Sequence, residues 1–283
     1  MRGVWRVQKF FSEQGQKLRM RRAMKAIARF PNVDRSKPHG LDAPLVVTLT
    51  SYPPRFATLG MTLRSILDQT VRPDRTILWL TKSDLSYLPN EIRRLTANGL
   101  EIRTCSDLRS YKKLIPALKM FPDAWFVTAD DDVYYPPGWL ESLVGKAERN
   151  TVVATRVHMA ELDTLGRFKP YSEWVMNTHH LRATSPNTRL FPTGVGGVLY
   201  PPNAFVKQVM DEDAFMQLCP HGDDIWFFWM ARMAGCGHAR TRSGFEILAW
   251  PNSQDVGLFQ ENQINSRNDP QIRNMEQAFG LIP

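Results

Sequence analysis

Ala124-Trp125-Phe126-Val127-Thr128-Ala129-Asp130-Asp131-Asp132 is the stretch that decides the fold. Its apolar run lacks polar alternation, the pattern of a strand covered on both faces. Three carboxylates then stand where that strand ends. Like charges crowded at the edge of a core raise one another's pKa, and a divalent cation is the usual relief. The plainer alternative is a solvated acidic turn in which one Asp caps a helix beginning near Trp139. One capping Asp would need no further account, whereas three in a row favour a metal or ligand site.

Upstream, strands and helices alternate. Leu45 to Thr50 reads as a strand, and Ser51-Tyr52-Pro53-Pro54-Arg55 turns the chain. Leu59, Leu63, Ile66 and Leu67 mark a helix closed by the Arg72-Pro73 break, and Ile77 to Leu80 is the next strand. A helix from Pro89 turns Ile92 and Leu95 inward and stops at Gly99. Leu100 to Thr104 alternates like a strand, and Lys112 to Met120 is helical in pattern. This order predicts an α/β fold with a mostly parallel central sheet flanked by helices. Ligands of such sheets sit beyond the carboxyl ends of the strands. Both Thr50-Ser51-Tyr52 and the aspartates occupy such ends.

Downstream, Trp139, Leu140, Leu143, Val144 and Ala147 predict a helix and Thr151 to Val157 a strand. Residues 158–200 are polar and irregular, as expected of loops or an antiparallel insertion over the site. Gly194, Gly196 and Gly197 suit either close backbone approach to a ligand or a bulged strand with a tight turn. Pro220-His221-Gly222-Asp223-Asp224 opens a helix whose inner face is Trp226, Trp229, Met230 and Met233, a spacing that reads as core. Asp223 suits the N-cap and Asp224 the positive end of the helix dipole. A carboxylate held rigid there is also suited to act as a general base.

With 283 residues and 43% hydrophobic content the chain can bury a full core. Its longest apolar stretch, Ile225 to Ala231, is far short of the roughly 18–20 residues of a membrane span. No apolar segment with a cleavage site marks the N-terminus, and Cys105, Cys219 and Cys236 fit neither a disulfide framework nor a zinc pattern. The expected location is the cytoplasm. The net charge is +8, yet residues 1–37 carry eleven Lys or Arg against Glu13 and Asp34, so the remainder is near −1. Trp5, Phe10, Phe11, Met20, Met24 and Ile27 accompany that charge. Such an arm suits the inner, anionic face of a membrane, or packs on the body as a solvated helix; an RNA-binding role is the weakest of the three.

Taken as an ordered set, these motifs resemble the GT-A class of nucleotide-sugar glycosyltransferases, nearest the bacterial family 2-like enzymes. The resemblance spans Pro44 to Arg273 and rests on Val46 to Arg55, Lys112 to Leu118, the Asp-x-Asp motif, Gly194 to Pro202 and Gly222-Asp223-Asp224. The basic arm (1–40) lies outside it and takes no support from it. The rest is expected to divide into a nucleotide-sugar-binding half (41–150) and an acceptor-binding half with the C-terminal segment (151–283). The resemblance implies inverting sugar transfer, of hexosyl type, from a UDP-linked donor to a glycan or lipid-linked acceptor in surface polysaccharide synthesis. Asp132 and Asp130 would hold Mn²⁺ or Mg²⁺, and Asp131 would face the ribose. Thr50, Ser51 and Tyr52 would lie beside the base, while Arg55, Lys112 and Lys113 approach the pyrophosphate. Asp224, or else Asp223, would take the acceptor proton, with Gly196, Gly197, Trp226 and His221 near the sugars and His238 a further metal or phosphate contact. The second strand ends Leu80-Thr81-Lys82-Ser83-Asp84, where relatives carry several acids, so only Asp84 is left to read the base. A sugar-nucleotide pyrophosphorylase-like nucleotidyltransferase is the competing enzyme, but the turn Ser51 to Arg55 has no phosphate-binding glycine. A non-catalytic sugar-binding module is the remaining alternative.

Overall fold

A computed structural model describes residues 2–33, 37–242, 245–251, 253 and 267–282, with side chains from Gln14 onward. Seven strands form the central sheet: β1 (Leu45–Thr50), β2 (Arg75–Leu80), β3 (Leu100–Thr104), β4 (Trp125–Thr128), β5 (Thr151–Ala154), β6 (Val198–Tyr200) and β7 (Gly237–Arg240). Their spatial order is β7-β5-β6-β4-β1-β2-β3. β3, β2, β1 and β4 run parallel, β6 is antiparallel to both neighbours, and β5 and β7 are parallel to each other. Because β6 reverses direction between them, β4 and β5 point the same way. The mostly parallel α/β sheet expected from the sequence is therefore present, and it crosses residue 150 without interruption.

The apolar runs are continuous because the sheet is covered twice. Val46, Ile77, Trp79, Phe126, Val152 and Tyr200 join one buried cluster, while Leu45, Val47, Leu78, Trp125, Val127 and Val153 join the other. Alternate residues of one strand thus enter different cores, as the two-residue pleat requires. Helices α2 (Phe56–Leu67) and α4 (Trp139–Val144) cover the second face with Leu59, Leu63, Leu140 and Leu143. Helix α5 (Asp223–Met233) covers the first, and α6 (Asn268–Phe279) packs outside it through Ile272 and Met275.

Several local expectations need correction. Residues 112–120 split into a 3-10 turn, Arg109–Lys113, and the short helix α3 (Ile115–Met120), because Pro116 sits in the first turn of a new helix. The strand expected over 151–157 breaks after Ala154. Val157–Met159 leaves the sheet and pairs antiparallel with Leu190–Pro192, the insertion expected over the site. Helix α5 is buried on all sides from Ile225 to Arg232, not on one stripe, since sheet and α6 enclose it. Gly222 is its N-cap, so Asp223 is the first helical residue. Gly138 likewise precedes α4, which removes the aspartates from any capping role there.

The basic arm is the helix α1 (Arg2–Ala28). Ala23 and Ile27 are buried against Leu248 and Trp250, with Met20 packed alongside, and Arg19 pairs with Glu246 at 2.7 Å. Met24 is 44% exposed. The side chains of Trp5, Phe10 and Phe11 lie outside the described residues. Among the described residues no helix is long and apolar enough to cross a membrane.

Candidate active site

The carboxyl edges of β1, β4, β5 and β7 open into one cleft of about 1230 Å³. On the β1 side, Ser51 donates to Asp131 Oδ2 at 2.5 Å. Arg55 lies 3.7 Å from Asp131 and forms a closer pair with Asp132. Burial pushes the Asp131 carboxyl up to about 7; the Ser51 and Arg55 contacts oppose this and the neighbouring aspartates add to it. Burial also lifts Asp130, with Lys113 opposing and Asp132 reinforcing. Three acids therefore share two cations without being neutralised.

Lys113 links this triplet to α5. Its Nζ is 2.8 Å from Asp223, 3.5 Å from Asp130 and 4.0 Å from Asp224. Burial lowers its pKa, but Asp223, Asp130 and Asp224 outweigh that and hold it well above the ordinary lysine value. Asp223 is buried and committed to this pair. Asp224 is different: its side chain keeps 30% of its surface, and Oδ2 accepts the Gly194 N–H at 2.9 Å. Burial, then repulsion from Asp223, raises Asp224 to about 7 against the opposing pull of Lys113 and the Gly194 N–H. A carboxylate poised near neutrality at a cleft wall has the acidity of a general base.

Gly194 is required by this arrangement. An added Cβ would lie 2.8 Å from Lys113 Nζ and 2.9 Å from Asp224 Oδ1. Gly196 and Gly197, expected near the sugars, instead have φ of +95° and +93° and pack on Trp139, which donates to the Gly196 carbonyl at 2.7 Å. A Cβ on Gly197 would meet the indole at 2.6 Å. Trp226 is also corrected. It is fully buried and donates to the Val209 carbonyl at 3.2 Å, so it is core and not a sugar platform. His238 is fully buried against Phe228 and does not line the cleft, which removes it as a metal or phosphate contact.

The other expected residues do line the cleft: Thr50, Ser51, Tyr52, Arg55, Asp84, Lys112, Lys113 and His221. Tyr52 is 37% exposed, whereas the Thr50 hydroxyl is used within the sheet, donating to the Trp79 carbonyl. Lys112 sits between Asp84 at 3.8 Å and Asp107 at 3.3 Å. Sequence reading missed Arg156, Tyr171 and Arg240, which line the same cleft. The only signal available was that Arg156 and Arg240 stand at strand carboxyl ends.

Among the described residues, no three acidic, His or Cys side chains converge on one metal position. The described residues therefore do not cage a cation by themselves. One shared between one or two Asp oxygens and substrate phosphates does fit, since Mg²⁺ is commonly held in that way and the crowded acids supply hard ligands.

A family model described as Glycosyl transferase family 2 matches residues 55–214, which include the three aspartates and stop short of Asp224. Among solved structures, the chain is similar to inositol-1-phosphate CTP transferase from T. maritima at 10% identity, covering 83% of this chain and 97% of that one, with TM-score 0.41. It is also similar to glucosyl-3-phosphoglycerate synthase from Mycobacterium tuberculosis, solved with Mn²⁺, UDP and glucosyl-3-phosphoglycerate, at 14% identity, covering 86% and 81%, with TM-score 0.39. No curated protein matches the sequence.

Proposed function

The chain belongs to glycosyl transferase family 2, and from that premise we propose that it moves a sugar from a nucleotide-sugar donor to an acceptor hydroxyl with inversion. The observation that carries the reading is the placement of a near-neutral, reachable carboxylate, Asp224, in one cleft with the acidic triplet at the end of β4. Residues 41–150 form the donor half and 151–283 the acceptor half. In the donor half Tyr52 offers a ring to the base, and Asp84 and Asp131 offer acceptors to the nucleoside.

In the transfer step Asp224 removes the acceptor O–H proton as that oxygen bonds to the anomeric carbon. The bond from that carbon to the diphosphate oxygen breaks, and its electron pair leaves with the nucleoside diphosphate. Displacement from the opposite face needs one base and no enzyme nucleophile. Asp132 and Asp130 would hold Mn²⁺ or Mg²⁺ together with the donor diphosphate, where the cation offsets charge on the leaving group. Lys113 fixes Asp223 away from the reaction, and the Gly194 N–H aims Asp224.

The acceptor is a glycan or lipid-linked sugar, in surface polysaccharide synthesis at the cytoplasmic face of a membrane. Support for the membrane comes from the outer face of α1, where Leu18 and Met24 stand exposed among Lys17, Arg21, Arg22 and Lys25. Sedimentation with anionic liposomes should fall when α1 carries Glu at Arg21, Arg22 and Lys25; unchanged sedimentation would sink the membrane role. For the chemistry, Asp224→Asn should keep donor affinity and slow turnover by about 10²–10⁴-fold, the usual range for a lost general base. Turnover within about threefold of wild type would remove Asp224 from that role.

A further inference from the structure

Three cleft-lining cations of the donor half have carboxylate partners, while a fourth, Arg109, donates to the Pro220 carbonyl at 3.0 Å. Arg55 faces Asp131 and Asp132, Lys112 faces Asp84 and Asp107, and Lys113 faces Asp223, Asp130 and Asp224. Two arginines on the other side of the cleft do not. Arg156 follows β5 and Arg240 ends β7, so they leave adjacent parallel strands at the same edge, where Arg240 is in register with Ala154. Arg240 Nε donates to the Thr155 carbonyl at 3.3 Å, which holds its guanidinium one residue from Arg156. Among the described residues no acid lies within 4.0 Å of either guanidinium, although Arg240 is only 6% exposed.

Their surroundings are polar and fixed. The Arg156 carbonyl accepts the Thr193 N–H at 3.1 Å, one residue before the glycine that binds Asp224. Thr155 is 2% exposed, and its hydroxyl has no partner among the described residues. Tyr171 completes this wall, and both Arg156 and Tyr171 feel the charge of Asp224. Arginine stays charged at any ordinary pH, so burying the Arg240 guanidinium beside a half-buried Arg156, with no counter-ion within 4.0 Å of either among the described residues, is costly until an anion arrives. The planar fork of each is matched to carboxylate or phosphate oxygens.

We propose that Arg156 and Arg240 form an oxyanion subsite for the acceptor, which therefore carries a phosphate or carboxylate close to the hydroxyl that Asp224 deprotonates. The acceptor class is then acidic: a phosphate-bearing or uronic-type sugar. This rests on the transferase reading for the word acceptor, but the anion site itself does not.

The test is calorimetric titration of the full chain with inorganic phosphate, glycerol 1-phosphate and glucuronate, with the donor half filled by a nucleoside diphosphate and Mg²⁺ and again without them. Wild type should bind at least one probe saturably with the nucleotide in place, and the tighter class identifies the acceptor's charge. Arg156→Gln should weaken that binding by about tenfold or more, the scale of one charge-assisted hydrogen bond, and Arg156→Lys by less. Nucleotide affinity should change less than about twofold, a margin well inside one such bond. Arg240→Gln should behave alike if it folds; Arg156, being less buried, keeps the test decisive if it does not. Absence of saturable binding for every probe would overturn the proposal. So would an equal loss of nucleotide and phosphate affinity in Arg156→Gln, because the arginines would then serve the donor diphosphate. If wild type binds no nucleotide, the transferase reading fails, while phosphate binding lost in Arg156→Gln would still establish the anion site.

Discussion

Replacing Lys113 with Met removes the one ammonium that Asp223, Asp130 and Asp224 share, and its consequences can be worked from the distances. Lys113 and Asp223 form a buried pair at 2.8 Å. Breaking such a pair from one side costs about 3–5 kcal/mol, because the remaining carboxylate stays buried and uncompensated. Since the folded-state pKa of Lys113 is raised, its contribution is complete below its unfolded value of about 10.4 and is lost only above that. Urea unfolding at pH 8 should therefore show the full loss. At lower pH the loss should shrink, as the stranded acids of the variant take up protons. A second effect falls on Asp224 at 4.0 Å. A unit pair at that distance is worth about 1 kcal/mol in water and about 4 kcal/mol at an effective dielectric near 20. At about 1.36 kcal/mol per pH unit, the acidic limb of the pH–rate profile should move up by about 1–3 units. The assay is donor turnover from pH 5 to 9 at saturating Mg²⁺. A variant with wild-type stability and an unmoved limb would refute the role of Lys113.

Other outcomes follow from the same structure. His158 and His238 are buried and held down to about 3, by desolvation first and then by Arg156 and Arg232 respectively. Their folded values lie below the unfolded value of about 6.5, so stability is full above pH 6.5 and declines as pH falls towards 3, by about 2 kcal/mol per histidine at pH 5; His238→Phe should remove about half of that decline in urea titrations. Gly197→Ala places a Cβ against the Trp139 indole at positive φ and should cost about 2–4 kcal/mol in unfolding experiments, from overpacking and backbone strain together. Trp226→Phe should lower the midpoint of thermal unfolding yet leave donor and acceptor KM within about twofold, a change far smaller than loss of a sugar contact. A selective rise in acceptor KM would restore Trp226 to the sugar site.

Much of the fold was legible because its signals are local. Apolar runs bounded by turns announced β1, β2 and β4, and Gly99, at φ +95°, marked the stop of its helical segment. The acids at the end of β4 were equally visible, since a charge triplet after a core strand is rare chemistry. What stayed hidden depends on partners distant in sequence. Lys113 looked like a phosphate ligand until α5 brought Asp223 to it, 110 positions along the chain. Gly196 and Gly197 looked like ligand glycines, whereas Gly197 makes room for the Trp139 indole and Gly196 for the Ile247 and Thr155 side chains. Arg156 and Arg240 are ordinary arginines in sequence, and they become conspicuous only when β5 and β7 lie side by side with no acid of the described residues within 4.0 Å of either guanidinium. The helical stripe Trp226–Met233 gave the correct element but the wrong environment, because periodicity reports one buried face and the fold buried every face.

Metal-dependent sugar-nucleotide chemistry in this cleft is the central claim, and it is tested most directly by titrating wild type and Asp132→Ala with a panel of nucleotide sugars, with and without Mn²⁺, and following release of nucleoside diphosphate. Wild type should bind at least one donor in a Mn²⁺-dependent way and hydrolyse it slowly, and Asp132→Ala should lose both. Binding of no nucleotide sugar by the wild-type chain, or undiminished Mn²⁺-dependent binding by Asp132→Ala, would contradict the account.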